Sequence, residues 1–499
     1  YEISLGLVGS EMCIRDSNSS NRYELAQLSY VYRVNYSYDN RYLIELNGRY
    51  DGTSRFMKDQ RWNFFPSFSL GWNVARENFW KPLESVVNQF KLRGSWGELG
   101  NQNTSNLYPF YEILPVKSNS GNWLVNGGKT NTADIPSLVS TLLTWERVRS
   151  FNVGFDFGAF SNRLTGSFDY FVRKTVDMVG PAPQLPLVLG IAPAIVNNAD
   201  MKSYGFEIEL SWRDRIGEVD YGVKFNLADA QQKVVKYPNT TNAFSDWYAG
   251  KMSGEIWGYT SLGIAKTDEE MKEHLASLPN GGQNQLGNKW GAGDIMYADI
   301  NGDGKVDGGK GTLADPGDQR IIGNSTPRYN FGLVLDASYK GFDVSIFFQG
   351  VGKRDYAPIV GTNGAVFWGA VNNIWQSMAM EEHFDYFRPE GHPMGANLNG
   401  YYPRPDFTSN KNHQVQTRYL QDASYIRLKN LQIGYTLPKQ WINKLHINRC
   451  RVYVSGDNLW TGTSLASMFD PETLAAGDWG SGKTYPLSKV ISFGLNVNF

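Results

Sequence analysis

From Tyr23 onward, apolar and polar residues alternate with a period of two in one stretch after another. Leu28, Tyr30, Tyr32, Val34, Tyr36 and Tyr38 share one face, and Gln27, Ser29, Arg33, Asn35 and Ser37 share the other. Alternation of this kind predicts a strand with one apolar and one polar side. After the turn signal Asp39-Asn40, Tyr42, Ile44, Leu46 and Tyr50 alternate with Glu45, Asn47, Arg49 and Asp51. The pattern recurs at Phe64–Val74, Phe90–Trp96, Phe151–Phe157, Leu164–Val172, Tyr204–Trp212 and Val219–Leu227. It returns at Tyr329–Tyr339, Phe342–Phe348, Ser424–Leu437, Cys450–Trp460 and Lys489–Phe499, which makes about thirteen strands. Within Ser424–Leu437 the phase slips at Lys429, which predicts a β-bulge.

The polar faces carry Arg93, Asp169, Glu207, Glu209 and Lys224 in mid-strand. Charges spaced along the inner face of long strands imply a wet interior, not a packed sandwich core. The connections also alternate. Short ones fall at Asp39-Asn40, Ser161-Asn162, Ile216-Gly217 and Lys340-Gly341. Long ones fall at Gly97–Thr144, Lys174–Lys202, Gln231–Thr326, Val351–Ala423 and Thr461–Ser488. Short turns on one rim and long loops on the other predict an all-β fold, an antiparallel transmembrane β-barrel of the outer membrane with long extracellular loops.

Composition agrees. Aromatic residues are 14% of the 499, which suits a wall with aromatic girdles. The mean hydropathy is −0.41. The longest apolar run, Leu185–Val196, is broken by Gly190 and Pro193, so no segment predicts a membrane-spanning helix. A net charge of −1 gives no general attraction to nucleic acid. Cys13 and Cys450 supply neither a disulfide framework nor metal-ligand spacing. Residues 1–17, with SLGLVGSEMCIRDS at 4–17, fit no pattern continuous with the rest and resemble a translated adapter. They are read as a non-native leader, and 18–499 as part of a barrel.

Two motifs suggest chemistry. Gly477–Thr484, GDWGSGKT, has phosphate-loop spacing, but Ala475-Ala476 precede it in place of a strand and Pro486 follows in place of a helix. Without that context it reads as a Gly/Ser loop. The segment from Asp299 to Asp307 has more behind it. Asp299, Asn301, Asp303 and Asp307 stand at positions 1, 3, 5 and 9 of a calcium loop, with Gly304 at the sharp turn and the Lys305 carbonyl at position 7. Lys310 at position 12 cannot ligate; Asp315 or Asp318 beyond the insertion Gly308–Ala314 could replace it, with Asp318 preferred, and the alternative is an Asx-rich turn with no ion. Oxygen-only ligands on a glycine-rich loop predict a structural Ca²⁺. No catalytic residues are predicted, and the protein is not read as an enzyme. His274, His383, His392, His413 and His446 are scattered, and Glu207 and Glu209 read as wall lining. Trp247, Trp257, Trp290, Trp368, Trp375, Tyr401 and Tyr402 lie in the long loops. They would either offer a face to sugars or a partner, or pack the loops together, and packing is the commoner role.

Four stretches carry a family resemblance. They are RYLIELNGRYDGTSRF at Arg41–Phe56, YADINGDGKVD with DQRIIGNSTPRYNFG across Tyr297–Gly332, SYIRLKNLQIGYTLP at Ser424–Pro438, and RVYVSGDNL at Arg451–Leu459, followed by the terminal ISFGLNVNF. Together they resemble a SusC/RagA-type TonB-dependent outer-membrane transporter. The resemblance implies the C-terminal part of a barrel of about 22 strands around a plug. It also implies import of oligosaccharides or peptides, energy from the TonB complex, a SusD-like surface lipoprotein partner, and contact with outer-membrane lipid. The plug and the TonB-contacting segment have no counterpart here. A passive porin-like channel and a soluble extracellular sugar-binding β protein are the alternatives.

Overall fold

The computed structural model describes residues 24–499 apart from 103, 105–106, 181–187, 189, 192–193, 359–364, 370–378, 408–409, 443–446 and 475–484. The proposed leader and GDWGSGKT lie outside the described residues.

The alternating stretches form one sheet of thirteen strands. They are β1 (Gln27–Tyr38), β2 (Tyr42–Thr53), β3 (Trp62–Asn73), β4 (Val87–Asn101), β5 (Glu146–Ala159), β6 (Leu164–Gly180), β7 (Val196–Ile216), β8 (Val219–Lys236), β9 (Arg328–Tyr339), β10 (Phe342–Lys353), β11 (Tyr425–Thr436), β12 (Arg449–Thr463) and β13 (Val490–Asn498). Each strand pairs antiparallel with the next, so the wall is an up-and-down meander with β1 and β13 as its edges.

Register shows why this sequence makes a wall. Trp72, Leu92, Phe155, Phe168, Ile208, Leu227 and Phe331 are directly paired neighbours across β3 to β9. One residue out of phase, Lys91, Asp156, Ser167, Glu209, Asn226, Gly332, Gln349, Arg427 and Thr461 form a polar line from β4 to β12. The apolar side is the more exposed one. Leu46 is 47%, Leu70 53% and Ile433 52% exposed, while Glu45 and Asn47 are half-buried. In water this would be an aggregation surface, and lipid is the solvent that covers it.

Three of the four short turns sit where expected. Asp39 and Asn40, the run Phe160–Asn162, and Lys340-Gly341 all take positive φ, as tight hairpins demand. One turn moves by a residue: β7 continues through Ile216, and Gly217-Glu218 make the turn. β6 and β7 also outrun their alternation, reaching Gly180 and starting at Val196. A bulge at Asp177, with φ +55°, breaks the side-chain phase but not the backbone ladder. Val74 leaves β3 and is buried in a 3₁₀ turn. The expected bulge is present, since Lys429 is skipped where Phe347-Phe348 faces Leu428 and Asn430.

No helix among the described residues is long and apolar enough to cross a membrane. The main buried core lies outside the wall. It is built by loop residues, including Tyr259, Tyr297, Phe367, Tyr402, Tyr419 and Phe469. A smaller cluster joins Phe56, Phe65, Leu143 and Trp145.

Candidate functional site

Three long connections, 237–327, 354–424 and 464–489, converge on the rim opposite the short turns and share that aromatic core. Within them Glu255–Gly258 pairs with Arg320–Asn324, and Ser261–Ile264 with Ile295–Tyr297. One helix, α1 (Asp268–Ala276), starts on Thr267, whose hydroxyl accepts the Glu270 amide.

A buried polar node fastens the first connection to the second. The Asp294 carboxylate accepts from Arg404 Nε at 2.9 Å, Lys411 Nζ at 2.9 Å and Asn412 Nδ2 at 2.9 Å. Asn412 Oδ1 in turn accepts the Ile295 amide. Tyr297 Oη donates to the Lys411 carbonyl at 2.7 Å, and Gln283 spans the Ile295 carbonyl and the Tyr297 amide. Burial holds the Tyr297 hydroxyl well above its ordinary pKa. His413, its ring tilted against Trp368 at 4.6 Å, is pushed down to about 4 by burial. Sequence reading missed this node, because Asp294 lies more than a hundred residues from Arg404, Lys411 and Asn412, and partners so far apart carry no local signal.

The loop aromatics mostly pack. Trp368 and Tyr402 are buried in the core, Trp290 and Tyr401 lie against it, and Trp257 stacks on Phe244 at 4.6 Å. Trp247 stays exposed, and Trp375 lies outside the described residues. The cap retains a cleft of about 300 Å³ lined by Trp368, Phe384, Tyr386, Tyr402, Phe407 and His413 among others.

On the polar face of the wall, charges are balanced in place. Arg93 reaches Asp156 at 2.9 Å and Asp169 at 2.8 Å. Arg451 bonds Asp343 and Gln432. Arg427 and Lys429 of β11 hold Asp470 and Glu472, each at 2.9 Å, which folds the third connection back onto this face. Glu207 and Glu209 stand exposed on it. The result is a hydrophilic surface on which several charges carry their own counter-charge.

The predicted calcium loop folds as a chain of Asx turns. Asp299 accepts the Gly302 and Gly304 amides at 2.6 and 2.8 Å, Asn301 accepts the Asp303 amide, and Asp303 accepts the Lys305 amide. Gly302 and Gly304 take φ of +77° and +79°. Asp318, beyond the insertion, packs against this loop. It is fully buried and accepts the amides of Ile300 at 2.7 Å and Asp307 at 2.8 Å. Burial raises its pKa. Lys305 brings its ammonium onto Asp307, whose pKa that contact lowers. Among the described residues, no three His, Cys, Asp or Glu side chains are grouped to hold a metal. Any divalent ion here would depend on Asn301 and backbone oxygens as well. His274, His383, His392 and His413 have separate partners, and His446 lies outside the described residues.

Comparison with known proteins agrees with this architecture. The family model "TonB dependent receptor-like, beta-barrel" matches residues 6–459. TonB-dependent receptor P3 of Formosa agariphila is 30% identical over 99% of this chain and 47% of its own length. TonB-dependent receptor SusC of Bacteroides thetaiotaomicron is 25% identical over 95% of this chain and 44% of its own. The solved RagAB peptide transporter superposes with a TM-score of 0.71 at 24% identity, covering 95% of this chain and 48% of that one. The chain thus spans about half the length of the curated relatives it matches. With a family match over most of its residues and a wall whose apolar side faces outward, this chain belongs to the TonB-dependent receptor-like β-barrels of the outer membrane.

Proposed function

We propose that the protein containing this chain imports oligosaccharides or peptides across the outer membrane, driven through TonB and working with a SusD-like lipoprotein. The observation that carries the reading is the pairing of a lipid-facing wall with a charge-balanced polar face beneath a packed loop cap. A polar lumen suits hydrophilic solutes, and the relatives are named TonB-dependent receptors. Catalysis has no part in this reading. The test is uptake of labelled oligosaccharides and peptides by cells with and without the full-length gene. Loss of uptake on deletion, and again on removing TonB, supports energised import. Uptake that survives without TonB would make the protein a passive channel.

We propose further that Ca²⁺ braces the loop from Asp299 to Asp318. Asp299, Asn301, Asp303, Asp307 and the Lys305 carbonyl would hold the ion, with Asp318 as the acid from beyond the insertion. The Asx turns gather these oxygens within one tight loop, which supports the reading. The role is structural: the ion would replace the Lys305 ammonium as the counter-charge. Calcium titration of the full-length protein, read by thermal stability, tests it. Indifference to millimolar Ca²⁺ would reject it.

A further inference from the structure

Above the apolar band, at the long-loop end of the wall, register places basic residues side by side. Arg149, Lys174, Lys202 and Lys233 are directly paired neighbours on β5, β6, β7 and β8. The row immediately below is Phe151, Val172, Tyr204 and Gln231, in phase with Phe206 and Ile208. The lysines therefore project from the lipid-facing side. From Trp212 near the short turn to Lys202 is ten residues. That is about 34 Å along a strand, and about 26 Å of depth at a tilt of ~40°. The apolar band of such a wall is about 25 Å tall, so the lysine row sits at headgroup level.

The local carboxylates do not neutralise this row. Glu98 is held by Arg149 at 2.6 Å, Asp177 by Arg147 at 2.9 Å, and Asp229 by Arg328. Asp200, in the row above, accepts the Asp177 amide and is paired in register with Lys236. Among the described residues, Lys174, Lys202 and Lys233 have no ion-pair partner. Lys202 lies over the Tyr204 ring at 5.1 Å, while Lys174 and Lys233 are exposed. Like charges directly opposite one another destabilise a sheet. Three in a row imply an anion outside the chain that offsets the repulsion.

We infer that Lys174, Lys202 and Lys233 form a binding site for the phosphorylated headgroup of an outer-leaflet glycolipid. A phosphate accepts from converging ammonium groups. Acyl chains below it would lie along Phe151, Val172, Tyr204 and Phe206. An interfacial basic residue contributes roughly fivefold to anionic-lipid binding, so three contribute about 100-fold.

The test uses the full-length protein in detergent, with lipid A as the probe and binding read by native mass spectrometry. Folding is checked separately by heat-modifiable mobility. The triple variant Lys174→Gln/Lys202→Gln/Lys233→Gln should lose about 100-fold in lipid A affinity. The matching arginine triple should stay within a few-fold of wild type, and Lys340→Gln on the opposite rim should change nothing. If the triple fails to fold, each single glutamine variant should still lose roughly fivefold. Wild-type affinity in a folded glutamine variant would overturn the inference. Displacement of lipid A by millimolar inorganic phosphate would also overturn it, by showing a site for free phosphate. Transport is not read, so failure here is distinct from failure of the import proposal.

Discussion

Lys411 Nζ stands 2.9 Å from the Asp294 carboxylate, and solvent reaches neither side chain. The pair ties two connections together across 117 residues of sequence. Asp294→Asn would leave the Lys411 ammonium buried without its nearest counter-charge, a change that costs about 3–5 kcal/mol. The expected result is faster proteolysis of 354–424 in the folded barrel. Unchanged cleavage would show that the node does not hold the cap.

His413 makes the cap sensitive to acid. Burial pushes its folded-state pKa down to about 4 from an ordinary 6.5. The unfolded cap therefore binds the proton more readily between these values, and stability falls as pH drops through that window. Each pH unit costs up to about 1.4 kcal/mol. Tryptophan fluorescence, with Trp368 against the imidazole, should report loosening below pH 6.5. His413→Gln should flatten the profile, and an identical profile in that variant would refute the assignment.

The two faces of β7 should differ in tolerance. Ile208→Arg places a charge in lipid at a cost of about 2–4 kcal/mol, while Glu207→Gln on the polar face should cost little. The measurement is the amount of heat-modifiable protein in the outer membrane. Equal amounts for both variants would contradict the orientation of this strand.

Lys305 and Ca²⁺ should compete. The ammonium sits on Asp307, inside the proposed ligand set. Lys305→Gln should raise calcium affinity by roughly a few-fold, the modest scale of a partly exposed ion pair. Asp303→Asn should lower it. Calorimetric titration checks both, and a drop in affinity for Lys305→Gln would place the ion elsewhere.

Local patterning alone lays out the wall. A period of two needs only short-range information, because each residue's face follows from its neighbours along the strand. Thus the thirteen strands, the bulge at Lys429 and the positive-φ turn residues are all legible without knowledge of any contact. Strand ends are less so: β6 and β7 continue past Asp177, because a bulge alters side-chain phase while the ladder persists. The order of ligand-type residues from Asp299 to Asp307 is likewise local, whereas the amides that the buried Asp318 accepts are set by the folded loop. The remaining features exist only once the chain has folded. The cap core, the Asp294 node and the lysine row each join residues distant in sequence, through loop closure or cross-strand register. Contacts of that kind leave no periodic trace, because their partners are chosen by the folded chain as a whole.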